Sequence, residues 1–140
     1  MHTLKLRHEI TVHALASKLW KVLTAPEYTE QFLFSGELVS NWAREGPILL
    51  EKEEQGVRMV VNRGTIEEIT PGISLRFQLT GLPEFSSAPV QFHYELIPEE
   101  GGIRLMLSVE IRFDRDEFQK IFESNLRMML QKIKWLAEYS

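Results

Sequence analysis

The sequence predicts an α+β domain: an antiparallel sheet of about seven strands with one long C-terminal helix packed across it. Three observations lead there. Leu4 to Val12 alternate mostly between apolar and polar side chains. From Glu37 to Phe113 short alternating runs are separated by glycine and proline turns. The last 25 or so residues then change to an apolar stripe at helical spacing. The implied order is strand, two short helices, a six-strand meander and a closing helix, in a single domain over residues 1–140.

The opening strand is Leu4 to Val12, in which Leu4, Leu6, His8, Ile10 and Val12 point one way and Lys5, Arg7, Glu9 and Thr11 the other. A period of two belongs to a strand with one face buried. A helix over Ala14 to Leu23 follows, and Pro26 stops it, because proline lacks a backbone donor and restricts the residue before it. A second short helix is expected from about Glu27 to Phe32. Gly46-Pro47, Gln55-Gly56, Arg63-Gly64, Pro71-Gly72 and Gly101-Gly102 then mark the turns or bulges of a meander. The clearest strand runs from Ile103 to Phe113. Its odd-numbered members are all apolar, while Arg104, Ser108, Glu110 and Arg112 face away, as an antiparallel sheet with one wet face allows.

The closing helix is expected from Asp116 to about Glu138, a length of ~34 Å at 1.5 Å per residue. Asp114, with Glu117 three residues later, resembles a capping box, and an acidic first turn suits the positive end of the helix dipole. Phe118, Ile121, Phe122, Leu126, Met129, Ile133 and Leu136 fall on one broad face. Lys120, Glu123, Arg127, Gln131 and Lys134 lie mostly opposite.

Bulk composition narrows the function classes. Hydrophobic residues at 44 % and charged residues at 26 % are ordinary for a globular chain and argue against disorder. A net charge of −4 argues against non-specific nucleic-acid binding, which needs clustered Lys and Arg to neutralise phosphates. The absence of cysteine removes disulfides, thiolate metal sites and thiol catalysis. No stretch approaches the ~20 apolar residues of a membrane span, and the N-terminus lacks a signal-like apolar run, so the expected location is cytoplasmic.

The element order resembles the START-like superfamily (SRPBCC, or helix-grip) of polyketide cyclases, lipid-transfer proteins and pollen allergens. Within it, the chain looks most like the branch named after the activators of the ninety-kilodalton heat-shock chaperone's ATPase. Ala16 to Pro26, with Leu19-Trp20 inside it, resembles that branch's opening helix, and Trp42 with Gly46-Pro47-Ile48 its second Trp and turn. Gly64 to Leu75 is the best single match, and Tyr94-Glu95-Leu96 and the segment containing Leu130, Ile133, Lys134 and Glu138 complete the series. The resemblance implies a curved sheet and, between helix and sheet, a mostly apolar ligand cavity. Where many relatives carry a Trp inside the last helix this chain has Leu126, which implies a larger or differently shaped space.

The cavity-lining candidates are Phe77, Leu79, Phe92, Tyr94, Leu107, Phe118, Phe122, Leu126 and Met129, although any one of them taken singly reads more simply as solid core. Asn125, near the centre of the apolar face of the helix between Phe118, Phe122 and Met129, is the candidate polar anchor, since a buried amide without a partner costs roughly 1–3 kcal/mol; the alternative is a bond to a strand backbone or a buried water, or exposure where the helix bends. The four histidines show no metal-ligand spacing, so neither metal nor cofactor is expected. No Gly-x-Ser-x-Gly elbow occurs, and Ser86-Ser87 lie in a loop without an evident base, so no catalytic residue is assigned. That loop, residues 80–89, contains Leu82, Pro83 and Phe85 and reads as a flap over the cavity mouth or as a plain connection.

The first functional expectation is binding of a small hydrophobic or amphipathic molecule, such as a lipid or an aromatic. Alternatives are a protein-interaction module resembling the chaperone activators and a polyketide cyclase-like enzyme. Self-association through the outer sheet face or Trp135, giving a homodimer, belongs among the expected partnerships.

Overall fold

The computed structural model describes residues 2–33, 36–82 and 85–140; Pro83 of the expected flap lies outside them. Strand β1 (Leu4–Val12) leads into helices α1 (Ala16–Thr24) and α2 (Pro26–Phe32). Strands β2 (Glu37–Ser40), β3 (Pro47–Glu54), β4 (Val57–Thr70), β5 (Ser74–Leu79), β6 (Val90–Glu99) and β7 (Gly102–Ile111) follow, and helix α3 (Phe118–Tyr139) closes the chain. The seven strands form one sheet in the order β1-β7-β6-β5-β4-β3-β2, every pair antiparallel. β2 to β7 are a plain meander. β1 instead joins the far edge beside β7, and α1 and α2 carry the chain across to start β2.

Two register irregularities interrupt the ladder, between Leu50 and Glu51 in β3 and between Ile66 and Glu68 in β4. Bulges of this kind increase local twist and bend a sheet. At Gly64, between them, β4 comes so close to β5 that an added Cβ would lie 1.7 Å from the Gln78 carbonyl oxygen. Only glycine permits that approach. The curved sheet faces α3 with its apolar side, and residues from all three helices and all seven strands join one core.

α3 runs alongside β1 and packs on α1 and α2. Its C-terminal end is tied down by polar contacts. Lys134 Nζ donates to the Thr11 carbonyl oxygen at 2.6 Å and to Glu138 Oε2 at 2.7 Å, and Glu138 Oε2 also accepts the His13 backbone N–H at 2.7 Å. These bonds hold the Glu138 carboxyl below the usual carboxylate range, with the His13 amide as the largest cause.

The N-terminal end differs from the expected capping box. α3 starts at Phe118, and Glu117 stands at the cap position with right-handed helical dihedrals and no side-chain cap bond. Asp114 has turned to the loop before β6 instead. Its Oδ1 accepts both the backbone N–H and the hydroxyl of Ser87, each at 2.9 Å. Glu117 pairs with Arg115. The apolar stripe also sits differently from its expected position: Ile121 is 56 % exposed, whereas Leu130 and Ala137 are buried. Among the described residues, no helix is long and apolar enough to cross a membrane.

Candidate functional site

The register of the sheet assembles the inward side chains into rows. Ile66, Phe77, Phe92, Val109 and Leu6 form one row across β4, β5, β6, β7 and β1. The next row is Ile69, Leu75, Tyr94, Leu107 and His8. Phe77 and Phe92 are stacked, with ring centroids 5.1 Å apart and planes 17° from parallel. Opposite these rows, α3 contributes Phe122, Leu126 and Met129, all buried.

A second aromatic group sits where β7 passes into α3. Phe122 meets Phe85 edge-on at 5.1 Å and Phe113 at 5.4 Å, and Phe85 also meets Phe118 at 6.2 Å. Phe85 belongs to the loop that Ser87 fastens to Asp114. Ser86 Oγ donates to the Arg112 carbonyl oxygen at 2.6 Å, and the Asp114 N–H donates to the Phe85 carbonyl oxygen at 2.9 Å. The described part of this loop is therefore folded onto the start of α3 and covers that end of the helix–sheet interface.

Of the ten residues singled out from the sequence, Phe77, Leu79, Phe92, Tyr94, Leu107, Phe122, Leu126 and Met129 are buried, and Phe118 is half-buried against the core. Asn125 is different. It is exposed and lines a groove of about 950 Å³ between α2 and the outer side of α3, together with Met129, Phe32 of α2, Met128, Trp135 and Tyr139. The helix is rolled so that Leu126 and Leu130 lie beneath it, which leaves Asn125 on the flank.

The interior does contain two polar atoms that sequence reasoning did not single out as anchors. Tyr94 is 1 % exposed, and its hydroxyl has no hydrogen-bond partner among the described residues. Burial pushes this hydroxyl well above the ordinary tyrosine range, so it is a neutral O–H at any physiological pH. His8 Nε2 is likewise buried without a hydrogen bond; its nearest charged neighbour is Glu123 Oε1, 3.6 Å away on α3. The signal for Tyr94 was present in the alternation, which turns it inward with Phe92 and Leu96. An inward tyrosine needs a partner for its hydroxyl.

No group of three His, Asp or Glu residues is gathered as metal ligands among the described residues. Ser87 has Asp114 beside it, but that contact is a loop fastening at an exposed position.

A strongly bent antiparallel meander gripped by one C-terminal helix, with its single apolar face turned to that helix, defines the helix-grip class. The chain belongs to the family of Activator of Hsp90 ATPase homolog 1-like proteins, whose sequence model matches residues 13–138. Among solved structures it is similar to the Aha1 dimer from Colwellia psychrerythraea, with a TM-score of 0.74 and 14% identity over 97% of each chain. It is also similar to protein ChR145 from Cytophaga hutchinsonii, with a TM-score of 0.73 and 22% identity over 96% of this chain and 94% of that one. The di-domain ARO/CYC StfQ from the steffimycin biosynthetic pathway superposes with a TM-score of 0.70 and 14% identity, covering 96% of this chain and 50% of that one. At these identities the structures share the fold. No curated protein matches the sequence.

Proposed function

We propose that this domain holds a small apolar or amphipathic molecule between α3 and the concave face of the sheet, in contact with Phe77, Phe92, Tyr94, Phe122, Leu126 and Met129. The observation that carries the reading is the Tyr94 hydroxyl, buried without a hydrogen-bond partner among the described residues. Leaving such a group unpaired costs about 1–3 kcal/mol. A side chain that merely filled core space would do so at lower cost as phenylalanine. The helix-grip fold supports the reading by turning one continuous apolar face toward α3.

Leu126→Trp tests it. If the interior has spare space, the larger side chain fills it: uptake of a fluorescent naphthalene sulfonate probe falls, and the melting temperature stays level or rises. If the interior is solid, the same substitution overpacks it and costs about 1–3 kcal/mol. A wild-type protein that takes up no probe, with a variant destabilised to that extent, would overturn the proposal. Mass spectrometry of solvent extracts from the purified protein provides a second readout, the expected result being a co-purified lipid or aromatic.

A second reading is favoured by one specific observation. The outer side of α3 exposes Met128, Trp135 and Tyr139 along the groove, with Trp135 at 51 % exposure. Lys132 Nζ lies 4.9 Å from the Trp135 ring centroid, adding a positive charge to this apolar strip. In a family described by activation of a chaperone ATPase, that strip is a candidate docking face for such a chaperone. Stimulation of the ATPase by the wild type and its loss in Trp135→Ser would support this reading. Equal behaviour of the two proteins would remove it.

A further inference from the structure

The two interior atoms without a hydrogen bond, the Tyr94 hydroxyl and His8 Nε2, lie on the same row of the sheet. Tyr94 pairs with Leu107, and Leu107 pairs with His8. The row therefore places a phenol on β6 and an imidazole on β1, with one leucine between them. Neighbouring strands are ~4.8 Å apart, so the two backbones are separated by about 10 Å. The Tyr94 end is sealed, whereas the His8 end is partly open, its side chain 18 % exposed and facing Glu123 at 30 %.

The sheet around Tyr94 offers a trapped water no side-chain partner besides the hydroxyl itself. A buried water needs two to four polar contacts. The cross-strand neighbours of Tyr94 on this face are Leu75 and Leu107, and the residues two places away on its own strand are Phe92 and Leu96. None of these side chains carries a polar atom, and the strand amides and carbonyls are engaged in the ladder. An oxygen carried on a hydrocarbon body is better matched: the body satisfies the leucines and phenylalanines, and the oxygen satisfies the hydroxyl.

We propose that the molecule held here is amphipathic with a single oxygen at its buried end, a phenol, ketone or carboxylic acid on an aromatic or alkyl body. The oxygen is hydrogen-bonded by the Tyr94 hydroxyl, and the body extends over Leu107 toward His8. This rests on the reading of the helix–sheet interior as a binding site and adds the chemistry that site selects. Asn125, on the outer flank of α3, takes no part.

The test compares 2-naphthol with naphthalene, which differ by one oxygen, binding to the wild type and to Tyr94→Phe by displacement of the fluorescent probe. The wild type should bind 2-naphthol about tenfold tighter than naphthalene, or more, because a desolvated hydroxyl left unpaired penalises the hydrocarbon. In Tyr94→Phe that preference should vanish while naphthalene binds at least as tightly as before. The melting temperature of the ligand-free variant should equal or exceed that of the wild type, since the lost hydroxyl bonds nothing. Equal wild-type affinities, or an undiminished preference in the variant, would overturn the inference and leave the binding function standing. A marked fall in melting temperature would also overturn it, by revealing a partner for the hydroxyl within the protein. If neither naphthalene nor 2-naphthol displaces the probe and the probe itself does not bind, the proposed function falls and takes the inference with it.

Discussion

Phe122 joins α3 to the sheet and to the loop before β6, so its removal should be felt well beyond one helical turn. The side chain is fully buried and meets Phe85 and Phe113 edge-on at 5.1 Å and 5.4 Å. Truncation of a buried phenylalanine to alanine costs about 3–5 kcal/mol through lost transfer energy and the cavity left behind. Each edge-to-face contact adds on the order of 0.5–1.5 kcal/mol beyond burial, which places Phe122→Ala in the upper half of that range. Unfolding entropy of ~2.1 cal/mol/K per residue, over 140 residues, amounts to ~0.3 kcal/mol/K. A loss of about 4 kcal/mol therefore lowers the melting temperature by ~13 °C. Ile121→Ala, one position earlier on the exposed side of the helix, should stay within ~0.5 kcal/mol of wild type. Circular dichroism melts and urea titrations of the two variants provide the comparison. A drop below ~3 °C for Phe122→Ala, or equal effects at the two positions, would refute the packing of the aromatic group and the orientation of α3.

Two further outcomes follow from contacts described above. Asp114 titrates below its usual range because the Ser87 backbone N–H, and then the Ser87 hydroxyl, donate to it. A carboxyl whose folded-state pKa is depressed stabilises the fold above its unfolded value, and that contribution is lost as pH falls through the folded value. Asp114→Asn should thus show faster proteolysis of the loop after β5 and a lower urea midpoint at pH 6. The difference from wild type should narrow as pH falls below the ordinary carboxylate range and the Asp114 carboxylate takes up its proton; a gap that does not change with acidification would assign the effect to something other than the charge. Gly64→Ala forces a Cβ against the Gln78 carbonyl oxygen and should cost about 3 kcal/mol or more, since backbone rather than a flexible side chain must yield. Gly72→Ala, in open space at φ 80°, meets only the left-handed strain of ~1–2 kcal/mol. The reverse ranking in denaturation midpoints would contradict the close β4–β5 approach.

The alternating segments were legible because each has one dry and one wet face. Leu4 to Val12 and Ile103 to Ile111 carry their burial largely in period two, and the structure pairs them with each other; the expected strand stops short of Phe113, and Ser108, expected on the wet face, is buried. The closing helix was legible as a helix, but its rotation was not. The sequence pattern put Asn125 near the centre of the apolar face, but α3 seats on α1 and β1 with the arc shifted toward Leu130 and Ala137, which leaves Ile121 and Asn125 exposed. The same limit explains Asp114. Its spacing to Glu117 fits a cap, yet the partner it takes is Ser87, 27 positions earlier, brought there by tertiary packing of Phe85 on Phe122. Tyr94 was legible as inward-facing from alternation alone. That its hydroxyl would find no partner depends on which side chains the register sets beside it, and that register emerges only when β5, β6 and β7 are aligned.

The placement of the first strand next to the last also governs how the molecule assembles. Leu4 has to meet Ile111, so the sheet cannot acquire its final edge until nearly the whole chain is available. Pairing between such distant segments carries a large loop-closure cost and slows folding relative to local hairpins. On the ribosome, the β2–β7 meander can zip up from its own turns, but its β7 edge and apolar face stay uncovered until β1 returns and the final helix emerges. Synthesis therefore passes through a stage with an unpaired strand and exposed hydrocarbon, the state most prone to non-native association.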